Sequence, residues 1–298
     1  MTDALHPATV GFAERVPLSG FSGAQVTLLR TAGGALFVRK AAWDAPGGGV
    51  LRAQARRQAW LAGLLHGAAA VPAVLGEGEA DGLYYFDMAF VPSRDAVGFL
   101  AQARFDQLGG FADRVEALMA LLATLPAEGA HPPERAAILA KLDEITLRTA
   151  GNYAAVLDPL RRAVLMLDRL VGDDRATAAH GDLTLENILV GREGDLWLID
   201  PIASPIDHYW IDWSKLFQDV EGGWHAHRGR AITSGVTRWL RNRWFAAACR
   251  QSPDYRARHA VLLGLTFARI LPYARTDADR AFVAGRVEQF GREALERC

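Results

Sequence analysis

Lysine is almost missing from this chain. Of 298 residues, 33 are lysine or arginine, and only three of these are lysines: Lys40, Lys141 and Lys215. The other 30 are arginines, a bias that looks compositional, so each surviving lysine raises a question about its own position. Cysteine is equally scarce. Cys249 and Cys298 are too few for a disulfide framework, cannot make a four-cysteine zinc site, and lie too far apart for a CxxC redox pair. Long apolar runs are lacking as well: stretches such as Val261 to Leu265 and Ala117 to Leu125 fall well short of a membrane span. The opening segment, MTDALHPATVGFAERV, has acidic residues and no apolar h-region, so it does not read as a signal peptide. Neither sign of charge dominates, with 33 basic against 34 acidic side chains, which gives no reason to expect a nucleic-acid partner. A soluble, cytoplasmic protein without a membrane span is the expectation.

What is present is an ordinary globular composition. Hydrophobic residues make up 50% and charged residues 22%, with a mean hydropathy of +0.04, which rules out a wholly disordered or fibrous chain. The length suits one large domain or two lobes. Residues 1–91 read as short strands with one helix. Val26 to Arg30 and Ala35 to Lys40 are extended, separated by the turn Thr31-Ala32-Gly33-Gly34. A soft linker at Ala45 to Gly49 precedes a helix over 51–66, and Leu83 to Phe90 reads as a buried, aromatic strand. Residues 92–298 read as mainly helical, with helical periodicity over 94–125, 133–148, 156–171 and from about 210 to 297. Two brief strands, Ile188 to Val190 and Leu196 to Ile199, interrupt the helices. The expected fold class is therefore α+β, a small strand-rich lobe over 1–91 followed by a larger helical lobe over 92–298.

The interruption is where chemistry is expected. His180-Gly181-Asp182-Leu183-Thr184-Leu185-Glu186-Asn187 precedes an apolar strand, a glycine-bearing turn follows, and the return strand ends on Asp200-Pro201. A hairpin brings the loop before its first strand alongside the residue after its second, so Asp182, Asn187 and Asp200 are expected to converge. Taken singly, each could be a turn cap or a strand end; their combined spacing favours a site.

The HxDxxxxN segment followed by a strand pair ending in Asp resembles the catalytic segment of the protein-kinase-like fold. Its wording, HGDLTLENILV and then LIDP, is similar to the aminoglycoside phosphotransferase and choline kinase family. The resemblance covers most of the chain in layout but is tight only in this segment. It implies a two-lobed fold with an antiparallel-sheet N-lobe that binds ATP, and a helical C-lobe with the catalytic loop and acceptor site. It further implies that Asp182 is the catalytic base, that Asn187 and Asp200 hold Mg²⁺ ions bridging the ATP phosphates, and that His180 braces the loop. Phosphoryl transfer needs charge neutralisation and in-line positioning, and oxygen-bearing side chains suit Mg²⁺.

Lys40 then reads as the nucleotide lysine. A compact ammonium on a flexible stem can reach the α- and β-phosphates where the planar fork of arginine is no equivalent. Arg39 points to the opposite face and is the weaker candidate. By resemblance, Gly20, Ser22 and Gly23 in Ser19-Gly20-Phe21-Ser22-Gly23-Ala24 form a phosphate-covering loop, although a plain hairpin turn is the alternative. The family pairs its strand lysine with a helix glutamate. Helix 51–66 has no acidic residue, and Gln58 sits where the glutamate would be, with Gln54 one turn earlier. Tyr84 to Pro92 resembles the hinge between the lobes, with Met88 as an apolar gatekeeper and the backbone up to Phe90 meeting the adenine; a core strand with a chance Met is the alternative.

Downstream, by the same resemblance, Asp212 fits an acceptor of backbone N–H groups that stiffens the loop, with an ordinary helix cap as the alternative. Lys215 recurs in a family-like segment without a derived role; pairing with Asp212 or a place toward the acceptor is open, as is a solvated helix position. Lys141 reads as surface. Glu221, Trp224, His225 and His227 read slightly better as a packed turn than as an acceptor site, and no zinc site is expected there. The expected activity is transfer of the γ-phosphoryl group of ATP to a hydroxyl of a small molecule. A nucleotide-binding pseudokinase or scaffold is the alternative, for which only Gln58 speaks, and a protein kinase is disfavoured by the missing Asp-Phe-Gly. Arginines at 228, 230, 238, 241, 243, 250, 256 and 258 argue for a neutral or anionic acceptor, while Trp210, Trp213 and Trp224 leave a choline cage open.

Overall fold

The computed structural model describes residues 12–18, 23–127, 134–171, 175–203 and 206–298. The chain divides into two compact units: Met1–Arg94 with Ile188–Ala203, and Asp95–Asn187 with Ser204–Cys298.

The first unit is built on a five-stranded antiparallel sheet of β1 (Phe12–Leu18), β2 (Ala24–Thr31), β3 (Leu36–Ala42), β4 (Val74–Ala80) and β5 (Leu83–Ala89), in the order β1-β2-β3-β5-β4. Helix α1 (Ala45–Leu64) packs on it and closes a core of Val38, Ala42, Leu51, Ala55, Tyr84, Phe86 and Met88. The helix starts six residues before the expected position and absorbs the supposed linker at Ala45 to Gly49. Local chemistry explains this. Asp44 is an N-cap whose Oδ1 accepts the Gly47 N–H at 2.7 Å, and Pro46 occupies the first turn, where its missing N–H costs nothing. Gly48 lets the helix approach the sheet, since a Cβ there would already lie 3.4 Å from the Tyr84 Cβ.

After the two-residue strand β6 (Arg94–Asp95), strands β7 (Ile188–Val190) and β8 (Leu196–Leu198) form the expected hairpin, turned with Gly194 at φ 79°. This hairpin, with the residues up to Ala203, belongs to the strand-built unit, although the chain before Ile188 and after Ala203 does not. Backbone bonds tie it there: Ala70 N–H donates to Leu196 O, and Leu198 N–H to Ala70 O, each at 2.8 Å.

The second unit is helical: α2 (Ala96–Leu100), α3 (Phe105–Leu122), α4 (Arg135–Arg148), α5 (Ala154–Met166), α6 (Tyr209–Val220), α7 (Trp224–His227), α8 (Ser234–Gln251), α9 (Tyr255–Ala268) and α10 (Asp277–Leu295). α5, α9 and α10 pack tightly, and Gly291 makes the closest approach possible: a Cβ there would lie 2.9 Å from the Leu160 nitrogen. α6 is central, with every residue from Tyr209 to Val220 buried, Asp212, Ser214, Lys215, Gln218 and Asp219 included. A helix buried all round is normally apolar, so these polar side chains point to a specific task. Among the described residues no helix is long and apolar enough to cross a membrane.

Candidate functional site

The strand-built unit places Lys40 on β3 opposite Phe86 of β5, buried, as the strand alternation requires. Its ammonium makes an ion pair with Asp200 and donates to Gln54 Oε1 at 3.3 Å. The helix partner is therefore Gln54 and not Gln58, which corrects the expected alignment. Gln58 is fully buried one turn further along α1, where its amide nitrogen donates to Pro72 O at 2.7 Å and to Met88 Sδ at 3.4 Å. Arg39, one residue from Lys40 and on the other face, is bound bidentately by Asp87, its cross-strand partner, at 2.8 Å, and its guanidinium stacks 3.8 Å above the Tyr85 ring. It is a structural cation.

Asp200, just past β8, has φ 62°, a left-handed conformation in which a non-glycine residue is uncommon. Such strain collects where a side chain must be aimed. Met88 is in the core of this unit, and Phe90, partly buried, packs against that core. The backbone N–H of Ala89 is already given to Ala73 O at 2.9 Å. Of the proposed phosphate loop, Gly20 and Ser22 lie outside the described residues; Gly23 is exposed, with open space where a side chain would stand.

The helical unit holds the segment from His180 to Asn187. Asp212 of α6 accepts the His180 N–H through Oδ2 at 2.7 Å and the Gly181 N–H through Oδ1 at 2.8 Å. Gly181, at φ 84°, makes the turn that exposes both N–H groups to one carboxylate. The His180 ring is buried and its Nδ1 accepts the Asp182 N–H at 3.4 Å. Asn187 Nδ2 donates to Asp182 O at 2.8 Å and to Asp182 Oδ2 at 3.0 Å. This leaves the Asn187 amide oxygen as the atom that could take a metal. Of the three residues expected to converge, Asp182 and Asn187 thus meet in this unit, and Asp200 meets Lys40 in the other.

Lys215 is buried: its Nζ lies 2.9 Å from Asp182 Oδ1 and donates to Gln218 Oε1 at 3.2 Å. Burial alone would raise the Asp182 carboxyl, but the charge and hydrogen bond of Lys215, aided by Arg269 and His180, hold it below the usual aspartate value. Burial draws the Lys215 ammonium down, against the pull of Asp182. Asp219, one turn on, accepts the Leu185 N–H at 2.8 Å, and burial pushes its carboxyl up to about 7. These contacts join positions more than 30 residues apart. The one sequence signal for them is the spacing of Asp212, Lys215 and Asp219 on a single helix.

The remaining candidates are structural. Glu221 binds Arg241 at 3.1 Å and His259 at 3.0 Å, His227 binds Asp279 at 2.8 Å, and Trp224, His227 and Phe282 stack. Trp210 and Trp213 are buried, the first under the Arg258 guanidinium at 3.8 Å, so they do not line a cage. Lys141 makes a helical pair with Glu144 at 2.7 Å. Among the described residues no three His, Cys, Asp or Glu side chains group into a metal site. Asn187 and Asp200 are hard oxygen donors of the kind Mg²⁺ takes when phosphates supply the rest.

The model of the phosphotransferase enzyme family, APH, matches residues 14–259. The chain belongs to this family. Among solved structures, a Thermobifida fusca protein assigned as a fructosamine-3-kinase is similar at 19% identity and TM-score 0.66, with 96% of this chain and 95% of that one covered. A macrolide 2'-phosphotransferase type I is similar at 16% identity and TM-score 0.64, covering 94% and 93%. APH(2")-IIia, solved with GDP and kanamycin, is similar at 15% identity and TM-score 0.65, covering 96% and 94%. These likenesses establish the phosphotransferase family's kinase-like α+β fold. Among curated proteins none matches the chain in sequence.

Proposed function

We propose that this phosphotransferase is an ATP-dependent kinase that transfers the γ-phosphoryl group to a hydroxyl of a small molecule such as a sugar, an amino alcohol or a related metabolite. The observation that carries the reading is Lys40: a lysine in a chain of arginines, buried on a sheet and paired with Asp200 and Gln54. A buried ammonium held by a strained carboxylate is a costly arrangement for stability alone. It suits a site that receives phosphates. In this reading Lys40 takes the α- and β-phosphates, and Gly23 belongs to the loop that covers them. The backbone from Met88 to Phe90 meets the adenine. Asn187 and Asp200 would hold Mg²⁺, which neutralises charge on the phosphates. Asp182 orients the acceptor hydroxyl and accepts its proton as the oxygen–phosphorus bond forms and ADP leaves. His180 and Asp212 hold the loop, the latter through the two N–H groups it accepts.

The acceptor is sought without a charge preference. The arginines that suggested an anionic or neutral compound are largely occupied: Arg228 and Arg230 by Glu186 and Asp95, Arg241 by Glu221, Arg243 by Glu116 and Asp113. A relative binds GDP and kanamycin, so ATP and GTP are tested side by side. The experiment is acceptor-dependent nucleoside diphosphate release across a library of hydroxyl compounds, with Mg-ATP affinity measured on the same protein. Release above the water-only rate for a small class of compounds is expected. Tight Mg-ATP binding with no acceptor-dependent release would favour the pseudokinase alternative, for which the neutral Gln54 in place of an acidic partner is the specific observation.

A further inference from the structure

Asp212, Lys215 and Asp219 fall on one face of α6, three and four residues apart. All three end on the segment that carries Asp182. Asp212 takes the N–H groups of His180 and Gly181, Asp219 takes that of Leu185, and Lys215 meets the Asp182 side chain between them. The two carboxylates of the helix hold backbone at either end of the loop, and the ammonium alone holds a reacting side chain. Asp182 thereby has both oxygens engaged, Oδ1 by Lys215 at 2.9 Å and Oδ2 by Asn187 at 3.0 Å. A carboxylate held at both oxygens has one orientation.

We propose that Lys215 is a positioning residue for phosphoryl transfer, fixing the Asp182 carboxylate in the direction from which it receives the acceptor proton. The inference rests on the reading of Asp182 as the base. A purely stabilising role is a poor explanation, because the Lys215 ammonium is taken out of water to meet a part-exposed carboxylate, an exchange seldom better for stability than apolar side chains of the same volume. The contact also discriminates between cations. A compact ammonium fits between Asp182 Oδ1 and Gln218 Oε1, which it reaches at 2.9 and 3.2 Å, whereas a guanidinium brings a planar fork. This accounts for a second lysine surviving among arginines.

The scarcity of lysine supplies the test. Protein labelled with ¹⁵N-lysine gives three side-chain signals, from Lys40, Lys141 and Lys215. Asp182→Asn is expected to shift the Lys215 signal and leave that of Lys141 in place; an unmoved Lys215 signal overturns the pairing. The kinetic arm compares wild type with Lys215→Met, using water and the best hydroxyl compound of the library as acceptors. Expected is a fall in kcat of about 100-fold with the Mg-ATP Kd within about threefold of wild type. A variant that folds and turns over within about threefold of wild type overturns the inference and leaves the kinase reading standing. Wild type that releases no ADP with any acceptor contradicts the kinase reading itself, and the positioning role falls with it.

Discussion

Lys40 and Arg39 are chain neighbours that use their charges differently. Arg39 is consumed by Asp87 and the Tyr85 ring, whereas Lys40 meets a carboxylate that lies 160 positions away and has its own strained backbone. Lys40→Arg is therefore expected to lower kcat/KM for Mg-ATP by at least about 30-fold, since the fork cannot reproduce the point contact. Near-normal kinetics would make Lys40 an ordinary buried cation. Asp219 offers a test by pH. Its carboxyl is raised to about 7 in the fold, against about 3.9 in an unfolded chain. Its contribution to stability is complete below the unfolded value and is lost as pH rises through the folded one. Relative to Asp219→Asn, which keeps an acceptor for the Leu185 N–H, wild type should lose roughly 2–4 kcal/mol between pH 4 and 8. Urea unfolding of both proteins across that range measures it. A constant difference would show that Asp219 titrates normally.

At the scale of elements, α1 and α6 show what the sequence could and could not reveal. The hairpin and the HGDLTLEN segment were legible because their chemistry is local: turn glycines, a short apolar strand, and polar residues at fixed offsets. The start of α1 is not legible, because Ala45 to Gly49 resembles a linker in composition while the Asp44 side chain caps a helix there. Asp44→Ala should cost about 1 kcal/mol, seen as a Tm lower by roughly 2–4 °C; no change would mean the first turn is held by packing alone. The choice between Gln54 and Gln58 was beyond sequence reasoning, since it depends on how α1 sits over β3. The role of α6 was half legible. Asp212 was recognisable from its segment, but the partners of Lys215 and Asp219 exist only once the helix is packed against a loop more than 30 positions earlier. Asp212→Ala leaves two buried N–H groups without their carboxylate. A destabilisation of about 2–4 kcal/mol is expected, with turnover lost before Mg-ATP binding.

At the scale of the whole molecule, the chain visits the strand-built unit twice, first up to Arg94 and again over Ile188–Ala203. A chain ended at Arg94 would keep the sheet and α1 but lose Asp200, leaving the Lys40 ammonium buried without its carboxylate. In the proposed function the strand-built unit binds the nucleotide, and the helical unit carries the base and the acceptor site. The most direct measurement is acceptor-dependent ADP release from Mg-ATP by wild type and by Asp182→Ala, with Mg-ATP affinity determined on both. Expected is release by wild type with at least one hydroxyl compound, its abolition in Asp182→Ala, and an ATP affinity changed by no more than a few-fold. Turnover by Asp182→Ala at about a tenth of the wild-type rate or more would contradict the assignment of Asp182 as the base, and with it the proposed chemistry.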